Sequence, residues 1–320
     1  MSDDKRTTAP GAKPIATDPV AVTGATGFLG GHIADALQEA GYRVRGIVRD
    51  PGKGARLAAR GVDLAQADLA DTDALEAGLS GCAAVVANAA LGSWSGTLDR
   101  YIEVNVNGTD RLLRAAARVG VHRVVLISTV AVYRTRLRQW MDEDATPYGG
   151  TRRRLNPSDL TTDWRYALSK SLSEARAHVL ASELGLALTV LRPGPLFGPR
   201  DPKLTRRYLR LHQRSWVVAP TVGVPQVSAR DCALVVPRAL KRDETIGRAY
   251  NLAGPPTSIV DVLRTLRGLT GRGPAVLPIP LPLWVGYDTR RAAADLGFVA
   301  RPLKDALEDV VADNEATGPG

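Results

Sequence analysis

Between a short apolar stretch, Pro19–Thr23, and a helix-patterned one, Gly31–Ala40, the chain carries Thr23-Gly24-Ala-Thr26-Gly27-Phe28-Leu29-Gly30. No other feature restricts the backbone as much. Glycines at this spacing permit a tight turn and let backbone N–H groups approach a ligand at a helix N-terminus, an arrangement suited to a phosphate or diphosphate. The spacing departs from Gly-x-Gly-x-x-Gly, so the neighbouring strand and helix carry as much of the inference as the glycines do. A strand that feeds a helix through such a turn is a first unit of a parallel α/β sheet.

The alternation continues downstream. Tyr42–Val48, Val62–Ala67, Ala83–Ala87, Val121–Ile127 and Leu186–Leu191 read as further strands. Helical spacing intervenes, as in Ile33, Ala36, Leu37 and Ala40, and over Leu98–Val119, which Gly120 closes. Nearly continuous apolar strands alternating with helices predict a doubly wound, Rossmann-type parallel sheet of about seven strands, binding ligands outside the carboxyl ends of its strands. Ala249–Leu252 is expected to return to that sheet as the last strand. From Pro193 onward the pattern loosens and prolines concentrate. The expected organisation is a disordered polar tail over 1–17, a nucleotide-binding domain over 18–192, and a smaller substrate domain over most of 193–320.

Composition excludes several classes. Hydrophobic content of 44% and charged content of 23% are globular values. Cys82 and Cys232 lack metal-ligand spacing and read as core thiols in a reducing, cytoplasmic compartment. The first 18 residues have no apolar core of the kind a signal peptide needs. No run approaches the ~20 apolar residues of a membrane span. The richest, Pro274–Tyr287, is broken by Pro278, Pro280 and Pro282 and is expected to be an irregular buried segment or an apolar lining for a substrate. The net charge of +9 comes from scattered arginines, grouped at Arg134/Arg136/Arg138, Arg152–Arg154 and Arg206/Arg207/Arg210/Arg214. No nucleic-acid motif accompanies them, so a small-molecule substrate is expected, with neither nucleic acid nor membrane as partner.

Chemistry enters with Tyr166-Ala-Leu-Ser-Lys170. Trp164–Leu184 reads as a helix, placing Tyr166 and Lys170 at i and i+4 on one face, with Leu168, Leu172, Ala175 and Val179 packing on the other. Arginine outnumbers lysine 35 to 7, so a lysine is the less common cation to find at a position needing only charge. Lysine is the compact cation whose pKa adjusts. Beside Lys170 and an oxidised nicotinamide, the phenol is expected to titrate below its usual value of about 10 and to serve as general acid or base. Ser128 and Thr129 follow the Val121–Ile127 strand, where a hydroxyl would polarise the reacting oxygen. At the end of the second strand Arg49 precedes Asp50, with Lys53 nearby. A guanidinium accommodates a ribose 2′-phosphate and a carboxylate binds the 2′-OH, so NADP(H) is favoured and NAD(H) is the alternative.

These segments bring the chain to a known family. It resembles the extended short-chain dehydrogenase/reductase superfamily, within it the NAD(P)-dependent epimerase/dehydratase and 3β-hydroxysteroid-dehydrogenase-like members. The resemblance rests on Thr23–Gly30, Asp68-Leu69, Asn105-Val-Asn-Gly-Thr109, Ser128–Tyr133, Tyr166–Lys170, Leu191–Pro199, Ala249–Gly254 and Asp288–Phe298. It implies Tyr166 as the acid/base, Lys170 as its electrostatic partner and ribose ligand, Thr129 as the catalytic hydroxyl and Asn105 as support for a proton relay. It also implies Asp68 and Leu69 beside the adenine, Pro193 and Gly194 near the nicotinamide, and a homodimer through the helices carrying Asn105 and Tyr166. Asn88 stands where a histidine is common and is expected at the cofactor. Pro195 and Phe197 stand where sugar-nucleotide enzymes carry Asn and Tyr, and the Arg-Arg-x-Gly-Asp of those enzymes is not found. Gly198–Leu204 looks like the steroid-dehydrogenase branch.

The expected activity is hydride transfer between NADP(H) and a carbonyl or hydroxyl of a mainly apolar, steroid- or polyketide-like molecule. Trp94, Ser128, Tyr133 and Pro195 are expected at the substrate pocket, Trp140, Met141 and Trp216 as further apolar walls, and Arg134–Asp163 as the segment shaping it. Two alternatives stand beside this reading: an epimerase or dehydratase that retains NAD, and a regulatory NAD(P) sensor without turnover.

Overall fold

The computed structural model of the protein describes residues 18–148 and 163–317. The tail over 1–17, the Arg152–Arg154 group and the 149–162 part of the pocket-shaping segment lie outside the described residues. The chain runs β1 (Val20–Thr23), α1 (Phe28–Glu39), β2 (Val44–Val48), α2 (Ala55–Ala59), β3 (Asp63–Gln66), α3 (Thr72–Leu79) and β4 (Ala84–Ala87). It continues through α4 (Leu98–Tyr101), a π-helical turn over Ile102–Asn107, α5 (Gly108–Arg118), β5 (Arg123–Ile127), β6 (Trp140–Met141), α6 (Trp164–Leu184) and β7 (Ala187–Pro193). After β8 (Leu196–Phe197) come α7 (Leu204–His212), β9 (Trp216–Pro220), β10 (Val227–Ser228), α8 (Ala229–Leu234), α9 (Val236–Lys241) and β11 (Ala249–Leu252). The remainder is α10 (Ile259–Thr270), β12 (Ala275–Ile279), β13 (Gly286–Tyr287), α11 (Arg290–Leu296) and α12 (Leu303–Thr317).

Seven parallel strands form the main sheet, in the order β11-β7-β5-β4-β1-β2-β3. The order reverses beside β1, which puts a crevice at the end of the glycine turn, where such sheets bind ligands. Because helices cover both faces, the central strands are buried throughout, and two apolar cores form, one on each side of the sheet. The first packs α1 against α8 and α9, with α11 on β11; the second packs α3, α5 and α6.

Three expectations are corrected here. The boundary at 192/193 does not separate two bodies: besides β11, whose return to the sheet was expected, α8, α9 and α11 pack into the nucleotide-binding half, α8 and α9 against α1 and α11 against β11. The exposed side of α6 carries Leu172, Ala175 and Val179, whereas its buried side is Ala167, Ser169, Lys170, Ser173, Glu174, Ala177 and Leu180. That polar face can be buried because its partners are in place: Asn105 Nδ2 donates to Ser169 Oγ at 2.9 Å, and Ser173 Oγ donates to Thr109 at 3.0 Å. Finally, of the Pro274–Tyr287 segment only the ends are covered, with Pro274, Gly286 and Tyr287 buried; from Ala275 to Leu283 every position but Val276 is exposed, so that stretch is neither a buried core piece nor an enclosed lining.

Candidate active site

The glycine turn has the backbone its sequence requires. Gly24 sits at φ +64°, and a Cβ at Gly30 would lie 2.1 Å from the Gly24 carbonyl oxygen and 2.9 Å from Asn88 Nδ2. Only glycine allows α1 to start this close to the strand. Gly27 is the N-cap, with no side-chain cap and no carboxylate in the first turn. The first amides of α1 are therefore left for an external acceptor, and the dipole there favours an anion. This fits the diphosphate of a dinucleotide. Thr26 and Gly27 are exposed at this mouth, Phe28 is half-buried, and Leu29 anchors in the core. Asn88 acts on the turn itself: its Nδ2 donates to Thr23 O at 3.2 Å and Gly24 O at 3.4 Å, and its N–H donates to Thr23 Oγ1 at 3.0 Å.

At the end of β2, Arg49 is exposed and makes no ion pair among the described residues. Asp50 is exposed too, its Oδ1 accepting from Gly52 N at 3.0 Å as the cap of a 3₁₀ turn. Lys53 Nζ lies 3.9 Å from Asp50. Asp68, past the end of β3, is exposed and accepts from Ala70 N at 2.9 Å, while Leu69 packs on Gly108. Pro193 and Gly194 close β7, and Gly194 N donates to Leu252 O at 2.8 Å.

The proposed acid/base group forms where β5 ends against α6. Thr129 caps a short 3₁₀ turn, with Oγ1 accepting from Ala131 N at 3.2 Å, and its hydroxyl hydrogen-bonds Tyr166. Tyr166 lies edge-on to Tyr101 at 6.1 Å between ring centroids. Burial pushes the phenol up to about 12, with the Thr129 hydrogen bond opposing it. The expected lowering is thus reversed in the protein alone, because desolvation of a phenolate outweighs one hydroxyl donor. Lys170 is 4% exposed and donates from Nζ to Ile127 O at 2.8 Å. Burial lowers it to about 8, and the charge of Glu174 works against that shift.

Asn105 is placed by the π-helical turn, a local distortion frequent at functional sites. Its amide brackets one residue: Oδ1 accepts from Leu91 N at 2.7 Å and Nδ2 donates to Leu91 O at 3.2 Å. It thereby ties the loop after β4 to α6 through Ser169. The same loop is held by Tyr101 Oη, which accepts from Ser95 N and donates to Gly92 O, both at 2.9 Å, and by Asp163 N, which donates to Ser93 Oγ at 3.0 Å. Trp94, at φ +62° and 65% exposed, stands at the tip.

Two residues expected at a substrate pocket are elsewhere. Ser128 is buried, its Oγ donating to Glu174 Oε2 at 2.5 Å. Tyr133 is also buried, donating to Asn251 Oδ1 at 2.7 Å and accepting from Arg192. Both are consumed by a network that composition did not reveal. Arg192 Nε donates to both Glu174 oxygens, at 3.0 and 3.2 Å, its Nη2 makes a further short bond to Glu174, and its Nη1 reaches Glu143 O at 2.9 Å. Asn251 N in turn donates to Glu143 Oε1 at 2.9 Å. The signal was legible: Glu174 lies one turn beyond Lys170, and Arg192 is a charge inside an apolar strand. Pro195 is half-buried after β7. Met141 packs with Tyr133 and Tyr287, whereas Trp140 and Trp216 are 58% and 62% exposed and are surface rather than walls.

The model of the NAD dependent epimerase/dehydratase family matches residues 20–253. Cinnamoyl-CoA reductase 1 of Oryza sativa subsp. japonica is 31% identical, the match covering 91% of this chain and 89% of that protein. Sterol demethylase protein B of Methylococcus capsulatus is 30% identical over 88% of this chain and 83% of its own length. Among solved structures, MoeE5 in complex with UDP-glucose and NAD superposes with a TM-score of 0.75 at 25% identity, covering 93% of this chain and 99% of that one. No helix among the described residues is long and apolar enough to cross a membrane.

Proposed function

The chain belongs to the NAD dependent epimerase/dehydratase family, and on that premise we propose that it is an NADP(H)-dependent reductase of a carbonyl on a mainly apolar small molecule. One arrangement carries the reading: Tyr166 is hydrogen-bonded by Thr129 and lies one helical turn from Lys170, whose buried Nζ is held on Ile127 O at the end of β5. The phenol can give its proton to a developing alkoxide, the transfer that carbonyl reduction needs.

The first amides of α1 and the glycine turn would hold the diphosphate, Arg49 and Lys53 the 2′-phosphate, Asp68 and Leu69 the adenine, and Pro193 and Gly194 the nicotinamide end. Bound there, NADPH supplies the hydride. Thr129 and Tyr166 donate hydrogen bonds to the substrate oxygen, Tyr166 passes its proton to it, and the Lys170 charge stabilises the phenolate left behind. Arg49 is favoured as the selector because Asp50 is already engaged with Gly52. The reductase names among the relatives support the direction, and the sterol demethylase B name supports an apolar substrate.

The test starts from protein as purified: nucleotide released on denaturation is identified, then NADPH and NADH are titrated. We expect NADPH to bind more tightly, Arg49→Ala to weaken it about tenfold or more while sparing NADH, and Tyr166→Phe to slow ketone reduction about 10²-fold or more. Tightly retained NAD⁺ would overturn the reductase reading in favour of an epimerase or dehydratase. Full activity in Tyr166→Phe would remove the acid assignment.

A further inference from the structure

The small sheet formed by β9 and β12 is covered on one side only. Its register pairs Trp216 with Ala275, Val218 with Leu277 and Pro220 with Ile279. Side chains alternate along each strand, so these six share one face. The opposite face, with Val217, Ala219 and Val276, packs on Val260 and Leu263 of α10. Nothing among the described residues covers the first face: Trp216 is 62%, Leu277 59% and Val218 49% exposed. The apolar surface continues along the chain through Leu281 and Leu283 to Trp284, whose ring meets that of Trp140 at 5.6 Å. Contiguous apolar surface of this kind marks an interaction site.

Charge indicates what lies against it. The chain segments that carry the β9/β12 face, 202–230 and 262–287, contain no Asp or Glu; exposed Asp142 and Asp144 lie at the far end, beyond Trp140. Arg207, Arg210 and Arg214 line a shallow depression with Leu211, whose side chain packs on the core beneath β9. Arg206, Arg207, Arg210, Arg214 and Arg272 are exposed, and none pairs with a carboxylate among the described residues. The acidic helix α12 spends carboxylates on Arg301, Arg230 and Lys304 instead. A second copy docked on this face would bring the same uncompensated guanidinium groups together. A nucleic acid would offer no apolar medium for Leu277 and Ile279.

We propose that this face adsorbs to an anionic lipid surface. Trp216, Val218, Leu277 and Ile279 enter the boundary between headgroups and acyl chains, and the α7 arginines contact the headgroups. A protein need not span a bilayer to lie on one: an apolar face with a basic border suffices. The proposal departs from the expectation of no membrane partner, which was drawn from the lack of a spanning segment.

Full-length protein is sedimented with phosphatidylcholine vesicles, alone or with about a third phosphatidylglycerol. The expected result is pelleting with the anionic vesicles only, reversed by salt well above physiological. Brominated lipid should quench tryptophan fluorescence in the parent, and by a smaller fraction in Trp216→Phe. Leu277→Ser/Ile279→Ser and Arg207→Gln/Arg210→Gln should each weaken binding about tenfold or more. Failure to pellet with anionic vesicles overturns the proposal, as does pelleting that neither pair of substitutions changes. Self-association in sedimentation velocity that Leu277→Ser/Ile279→Ser abolishes, without lipid binding, identifies a second copy as the occupant and overturns it too.

Discussion

Replacing Arg192 by methionine would strip from Glu174 the cation it is hydrogen-bonded to, inside a contact where Arg192 and Glu174 side chains are 12% and 7% exposed. Methionine keeps the length and apolar volume, so the loss is electrostatic. Three things change together: Glu174 keeps Ser128 as its one hydrogen-bond donor, the Tyr133 hydroxyl loses the donor it accepts from, and the Glu143 carbonyl loses another. Removing one partner of a buried ion pair costs about 3–5 kcal/mol because the other charge stays buried. Against a total stability of about 5–15 kcal/mol, that is a large share. At roughly 2 °C per kcal/mol for a chain of this size, Tm should fall by about 6–10 °C. Urea denaturation followed by circular dichroism gives the free energy directly. The double variant Glu174→Gln/Arg192→Met removes the stranded charge and should recover about 2 kcal/mol of the loss. A single variant within about 1 kcal/mol of the parent, or a double variant whose cost is the plain sum, would refute the assignment of a buried, charge-dependent link between α6 and β7.

Two further outcomes follow from the site. Lys170 titrates near 8 in the folded protein and near 10.5 when unfolded, so its neutral form favours the fold above 10.5 and that contribution is lost as pH falls through about 8. Activity runs the other way: the ammonium disappears above about 8, so kcat/KM for reduction should fall there with unit slope, while Lys170→Arg, which stays charged, should lack that limb; an unchanged limb in the variant would assign it to another group. Gly30→Ala puts a methyl 2.1 Å from the Gly24 carbonyl and should weaken NADPH binding about tenfold or more in a fluorescence titration, and an affinity within about twofold of the parent would show that the turn does not hold the nucleotide.

The fold was legible because its signals are local. Apolar runs such as Val20–Thr23 and Ala84–Ala87 report strands buried on both faces, and the Gly24/Gly27/Gly30 spacing reports a turn set by residues a few positions apart. The helix Trp164–Leu184 falls where its pattern places it, yet its buried face was misassigned. Side chains at Leu168, Leu172, Ala175 and Val179 make as good an apolar stripe as any. What decided against them was the supply of partners on neighbouring elements for Ser169, Ser173, Glu174 and Lys170.

By itself, then, the order of residues determined the strand–helix alternation, the glycine turn and the juxtaposition of Tyr166 with Lys170 one helical turn away, since each depends on spacings of a few residues. Tertiary structure alone decided that Ser128 and Tyr133 serve a buried network, that Asn105 positions the loop after β4, and that the segment from Ala275 to Leu283 faces outward. The physical reason is the same in each case. A side chain's role depends on whether a donor, an acceptor or an apolar surface meets it, and those partners come from elements up to 118 residues away, as Asn251 does for Tyr133.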